Sequence, residues 1–139
     1  MIVNLRLLGI ASIILVLGCG KKEMTREDMR SDLIQSISLA SEAETFVKFV
    51  RQGRSTSDFA SGHLNYVSDE VKRNAQQLSK AHAPPDLIDI LNVDRVQLNL
   101  LTTQIDNVNR HLQDPVILAA SEEQIRKTRV TFVQASSSL

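Results

Sequence analysis

The sequence predicts an all-α fold, arranged as an antiparallel up-down four-helix bundle. Stepping by alternating four and three residues picks out four segments, three of which keep an apolar rhythm with one polar exception each, and this is typical of helices that bury one face. Capping residues, prolines or a glycine separate these segments, and none of them alternates between apolar and polar residues as a half-buried strand does. Helices joined by short links pack as antiparallel neighbours. The alternative is a three-helix bundle with a short fourth helix laid across it.

The first helix is predicted between a capping signal and a glycine. Thr25 and Asp28 have the spacing of a capping box, in which each side chain accepts a hydrogen bond from the other residue's backbone N–H. The apolar stripe then runs from Met29 to Val50, and Gly53 follows it as a helix-ending residue commonly does. These signals together delimit the first helix.

Two further helices are predicted in the middle of the chain. Residues 55–58 supply caps for the second helix, whose apolar stripe covers residues 60–81. Residues 83–86 read Ala-Pro-Pro-Asp and separate the second helix from the third, because proline disfavours the helical conformation of its predecessor but fits a first helical turn. The stripe of the third helix covers residues 87–112.

The start of the fourth helix has two candidates. Asp114 followed by Pro115 provides a cap and a suitable first residue. Ser121 with Gln124 provides a second capping signal, which would leave residues 116–120 in a loop.

Three polar residues interrupt the apolar stripes at one predicted level of the bundle. Because Val50 and Ala60 lie at the same end of an antiparallel pair, Ser36 and Asn74 both lie about 21 Å down the axis. Asp94 is predicted at the same level, because Asn74 lies seven residues before Ala81 and Asp94 lies seven residues after Leu87, across the turn between the second and third helices. The interpretation we favour is a polar layer that fixes helix register. The alternative is a ligand or ion site, for which one carboxylate is a poor ligand set.

The N-terminus has the organisation of a targeting segment. Arg6 precedes an apolar run of 11 residues, 7–17, which is too short to span a membrane that needs about 20. Residues 16–19 read Val-Leu-Gly-Cys, and this arrangement resembles the lipobox of bacterial lipoproteins, with a larger residue than usual at Leu17. Cys19 is the only cysteine of the chain.

The resemblance implies a lipid anchor and a location. Cys19 would carry a diacylglycerol thioether and become the first residue of the mature chain, held in a membrane by its acyl chains. Gly20 stands where Asp would favour retention in the inner membrane, so the resemblance implies the outer membrane facing the periplasm in a Gram-negative organism, and otherwise the cell membrane. The predicted organisation is a signal peptide at 1–18, a lipidated cysteine and polar tether at 19–25, the bundle domain at 26–135 and a frayed tail at 136–139.

Composition excludes several classes of function. Sixteen basic and sixteen acidic residues balance, so no nucleic-acid binding through bulk positive charge is expected. No common catalytic, nucleotide-binding or metal-binding motif occurs. His63 and His111 are both predicted near one end of the bundle, and surface histidines are the simpler interpretation. We therefore expect no enzyme, no metal and no cofactor.

An apolar patch on the first helix is a candidate contact surface. Leu39, Phe46 and Phe49 recur at seven and three residues, partly off the main stripe, and Tyr66 of the second helix can join them. The favoured interpretation is that the two phenylalanines cap the core at one end of the bundle. If Phe49 is exposed, the patch could instead bind a protein partner or a second copy of the chain.

The sequence therefore predicts a small membrane-anchored lipoprotein of the bacterial envelope, without enzymatic activity, that serves as an accessory, scaffold or adaptor module. The alternative is a helical-bundle protein that binds a small ligand or an ion in the envelope. Neither expectation names a specific partner.

Overall fold

A computed structural model of the chain describes residues 22–139, so the predicted signal peptide and Cys19 lie outside the described residues. The described part contains no strands and four helices: α1 (Arg26–Arg51), α2 (Ser57–Ser79), α3 (Ile88–Arg110) and α4 (Pro115–Ser137). The prediction of a four-helix bundle is confirmed. The three-helix alternative is wrong, because α4 is a full helix of 23 residues.

The helices form two closely packed pairs. α1 packs mainly against α4, and α2 packs mainly against α3. α3 also packs on α4, whereas α1 and α2 share a smaller contact and α2 does not touch α4. The arrangement therefore places α2 and α4 at opposite corners and leaves the seam between α1 and α2 less tightly packed.

The first two helices begin and end at the signals predicted from the sequence. The Thr25 hydroxyl accepts from the Asp28 backbone N–H at 3.1 Å, and the Asp28 carboxylate accepts from the Thr25 N–H at 2.9 Å. Gly53 has a φ of +69°, a conformation that residues with a Cβ adopt only with strain. The Thr56 side chain caps α2 by accepting from the Phe59 N–H.

The later boundaries differ in part from the predictions. The N–H of Leu87 donates to the carbonyl of Pro84, so the two prolines form a turn before α3 and not its first turn. α4 begins at Pro115 with Asp114 as its cap, so residues 116–120 are helical and not a loop. Beyond the predicted boundary at 135, α4 continues to Ser137, and Leu139 packs against the core.

The core is almost entirely aliphatic. The predicted stripes face inward, and within residues 22–139 Phe132 is the only aromatic residue among the fully buried side chains. The apolar core consists of Met24, Met29, Leu33, Leu39, Ala40, Ala43, Val47, Val50, Ala60, Leu64, Val67, Val71, Leu78, Leu87, Leu91, Leu98, Leu101, Ile105, Val108, Leu118, Ile125 and Phe132.

Arg95 of α3 neutralises the C-terminal end of α2, which has no basic residue in its own last turn. Its guanidinium donates to the Leu78 carbonyl at 2.7 and 2.9 Å and to the Ala81 carbonyl at 2.7 Å. These carbonyls lie at the negative end of the helix dipole.

We expect Arg95→Met to lower the free energy of unfolding by about 2 kcal/mol, because charge-assisted hydrogen bonds to helix-end carbonyls are lost. Urea denaturation monitored by circular dichroism measures this change. Arg73→Met is the matched control, since Arg73 makes only an exposed pair with Glu70 and should cost less than about 1 kcal/mol. Equal losses in both variants would contradict the capping role of Arg95.

Candidate functional site

The structure brings the three predicted polar residues of the core together. The Ser36 hydroxyl donates to Asp94 Oδ1 at 2.8 Å, and Asn74 Nδ2 donates to the same hydroxyl at 3.3 Å. All three side chains are buried, and they come from α1, α2 and α3. The chain of hydrogen bonds joins three helices at one level, as the helical rise predicts.

Two acceptor atoms in this layer have no donor among residues 22–139. They are Asn74 Oδ1 and Asp94 Oδ2, both buried. Burial raises the pKa of Asp94 to about 6, although the hydrogen bond from Ser36 lowers it and the nearby charge of Asp32 raises it further. A protonated Asp94 gains an O–H donor, so one proton makes this layer less costly to bury. Among the described residues there is no group of three or more metal-type ligands.

A second buried polar contact, between α3 and α4, was not predicted. The Thr128 hydroxyl donates to Gln104 Oε1 at 3.1 Å, and both side chains are buried. Thr128 lies in the predicted stripe of the fourth helix, where a buried hydroxyl needs a hydrogen-bond partner. The sequence could therefore have indicated that some polar residue faces Thr128, but not which one. Gln104 lies off the stripe of its own helix, which is why heptad spacing did not identify it.

An aromatic cluster lies on the outside of the bundle, over the seam between α1 and α2. Phe46 is its centre: its ring centroid lies 6.0 Å from that of Phe49, 6.0 Å from that of Phe59 and 4.1 Å from that of His63. Tyr66 adjoins His63 at 6.3 Å. Phe59 and Tyr66 are 60% and 56% exposed, so the cluster is a surface feature.

A groove of about 550 Å³ runs along this cluster, and we call it the aromatic groove. Phe46, Phe49, Phe59 and His63 provide its ring surfaces. The remaining lining residues, all from α1, are Ser41, Glu42 and Thr45. Short side chains beside large rings leave room for a side chain from another molecule.

Opposite charges lie at the two ends of the aromatic groove. His63 Nε2 lies 3.2 Å from Glu42 Oε1 on the side nearer the start of α1. The Arg54 guanidinium carbon lies 5.1 Å from the centroid of the Phe49 ring on the side nearer the end of α1, within the range of a cation–π contact. Glu42 therefore lines the groove at one end, and Arg54 lies over the Phe49 ring beside its other end.

The predicted contact patch needs two corrections. Leu39 is buried in the core and is not part of the exposed surface, because its helical phase matches the buried residues Ala43 and Val50. Phe46 and Phe49 are both half-buried, but only Phe46 packs against the core, so the two rings do not both cap it. The prediction missed Phe59, which lies one residue before the stripe of the second helix.

The histidines make separate contacts. His63 pairs with Glu42 of α1, whereas His111 Nδ1 lies 2.8 Å from the Asn107 carbonyl of its own helix. His82 uses its backbone carbonyl to accept from the Met24 N–H at 2.7 Å. The imidazoles of His63 and His111 thus have different partners.

Comparisons of this sequence with family models, curated proteins and solved structures give no match. None of the helices within residues 22–139 has the length and apolar character needed to cross a bilayer.

Proposed function

We propose that this protein is a small lipoprotein of the bacterial envelope, anchored to a membrane through Cys19, that acts without catalysis as an accessory, scaffold or adaptor module. The observation that carries the proposal is the placement of the only cysteine directly after the 11-residue apolar run and Gly18, in a lipobox arrangement. With acyl chains on its sulfur, the chain would be held firmly to one leaflet.

The position of the anchor relative to the bundle supports an adaptor role. The described chain starts at Lys22, three residues after Cys19, and α1 begins at Arg26. Anchoring at Cys19 therefore holds the bundle by the end where α1 starts. The aromatic groove lies nearer the other end of α1, away in sequence and along the helix from the attachment point.

The location follows from the same resemblance. Gly20 does not provide the acidic signal for inner-membrane retention, so we propose the outer membrane facing the periplasm in a Gram-negative cell. In a cell with a single membrane, the protein would be anchored to the outer surface of that membrane.

We expect radioactive palmitate to label the wild-type chain in cells and not the Cys19→Ser variant, because serine cannot form the thioether. Lys22→Ser is the matched control: it alters the tether, leaves residues 16–19 intact and should be labelled as the wild type is. Unchanged labelling of Cys19→Ser would overturn the anchor.

A further inference from the structure

We infer that the aromatic groove is a docking site for one amphipathic helix of a protein partner, with a basic and an acidic side chain about two turns apart on either side of an apolar anchor. The inference rests on the proposed adaptor role and specifies the chemistry of the partner. It depends on the placement of the rings, the shape of the seam and the charges at its ends.

The aromatic residues of the chain are concentrated at the aromatic groove. The chain has four Phe, one Tyr and no Trp, and four of these five rings lie in the cluster around Phe46. The core is filled by aliphatic side chains and Phe132. Contiguous exposed apolar surface rimmed by polar groups commonly marks an interaction site. Here the surface is organised, because Phe46 packs against His63 and His63 is held by Glu42.

The shape of the seam favours a helix as the occupant. The groove follows two neighbouring helices whose mutual contact is smaller than that of the closely packed pairs. Ser41 and Thr45 are one turn apart and short, so they leave space beside the rings. An amphipathic helix that presents apolar residues at i, i+3 or i+4 and i+7 fits such a groove between helices.

The charges specify the partner further. Glu42 and Phe49 are seven residues apart on α1, which corresponds to about 10 Å along the helix. Arg54 lies over the Phe49 ring. A partner helix with a lysine or arginine opposite Glu42 and a glutamate or aspartate opposite Arg54 therefore needs the same two-turn spacing. Complementary charges of this kind select the partner and its direction more than they add affinity.

A second copy of the chain is a poorer occupant. Aromatic side chains bury about 150–250 Å² each, so the exposed parts of Phe59 and Tyr66 with the edges of the other rings supply roughly 300–400 Å². A stable protein–protein interface needs about 800 Å² per partner. The groove suits the insertion of a single segment better than the pairing of two bundles.

The membrane is also a poorer occupant. Phe46 lies 20 residues along α1 from Arg26, a distance of about 30 Å. If Cys19 carries the anchor, the groove lies near the end of the bundle that is farthest from the lipid surface. A protein segment that reaches this end is therefore the occupant we propose.

Photo-crosslinking in living cells tests the inference with the full chain. The photoreactive residue p-benzoylphenylalanine replaces Phe59 in one strain and Val116 in another. Val116 is 76% exposed and apolar, and it lies at the same end of the bundle on α4, at the corner opposite α2. We expect an adduct from position 59 that peptide mass spectrometry maps to an amphipathic helical segment with the stated charge spacing, and no such adduct from position 116.

A binding measurement with the mapped segment completes the test. The synthetic peptide should bind the full chain at least tenfold more weakly after Phe59→Ser and unchanged after Val116→Ser. Both side chains are exposed, so circular dichroism should show the same unfolding midpoint in both variants as in the wild type. Adducts only to phospholipid, only to a second copy, equally from both positions or to nothing would each overturn the inference.

The same strains separate this inference from the anchor. A crosslink from position 59 to a helical segment, together with unchanged palmitate labelling in Cys19→Ser, would contradict the lipid anchor and still support the groove as a docking site. Loss of palmitate labelling in Cys19→Ser, together with no adduct from position 59, would support the lipid anchor and contradict the groove as a docking site.

Discussion

Asp94→Asn is expected to raise the free energy of unfolding at neutral pH by about 3 kcal/mol. The pKa of Asp94 in the folded protein is about 6, against an ordinary value of 3.8, because its carboxyl group is buried. A difference of about two pKa units corresponds to about 3 kcal/mol. Asparagine removes the buried charge and keeps an oxygen that can accept the hydrogen bond of Ser36.

The sign of the pH dependence follows from the raised pKa. The folded protein binds this proton more tightly than the unfolded chain does, so the contribution of Asp94 to stability is fully present below pH 3.8 and is lost as the pH rises through 6. Asp32 also has a raised pKa, caused by burial and by the charge of Asp28, and it acts in the same direction. The difference in free energy of unfolding between Asp94→Asn and wild type, measured at each pH, separates the effect of Asp94 from that of Asp32.

Urea denaturation between pH 4 and pH 8, monitored by circular dichroism, measures this difference. Asp89→Asn is the control, since Asp89 lies exposed on the same helix and should change stability by less than about 1 kcal/mol at every pH. The predicted stabilisation by Asp94→Asn should be small near pH 4 and largest above pH 7. A variant that is less stable than wild type above pH 7 would contradict the prediction, because it would show that the ionised carboxylate of Asp94 stabilises the folded protein.

Phe132→Ala is expected to have the largest destabilising effect, about 3–5 kcal/mol. Phe132 is fully buried and is the largest side chain of a core made otherwise of aliphatic residues. Its removal leaves a cavity on the face of α4 that packs against α1 and α3. The surrounding helices can close such a cavity only in part, so lost contacts add to the lost burial.

The neighbouring residue gives the matched control for this prediction. Val133 is 40% exposed, and Val133→Ala should cost less than about 1 kcal/mol. Equilibrium urea denaturation compares the two variants at one pH. Similar losses in both variants would contradict a dominant contribution of the buried Phe132 ring, since both substitutions raise helix propensity.

Helical periodicity predicted the buried faces because spacing alone determines which side chains share a face. The apolar stripes match the core, and equal counts along antiparallel helices placed Ser36, Asn74 and Asp94 at one level. Leu39 shows the limit of this reasoning, because heptad spacing gives the centre of a buried face and not its width.

The aromatic groove could be predicted only in part for a related reason. Phe46 and Phe49 were identified by their spacing on one helix, but Phe59 joins them only because of how α1 and α2 pack. The same holds for the His63 contact with Glu42, which joins residues of two helices. Sequence spacing describes one helix at a time, whereas a groove between two helices depends on their separation and rotation.

Three contacts fasten the start of α1 to two other parts of the bundle. The Met24 N–H donates to the His82 carbonyl at 2.7 Å, and Arg26 pairs with Asp86 at 3.0 Å and donates to the Leu139 carbonyl at 2.9 Å. If Cys19 carries a lipid, mechanical tension between membrane and partner enters the fold at this point. The force would then act on the α2–α3 turn and the C-terminal residue as well as on α1, so that α1 would not separate from the bundle without breaking these contacts.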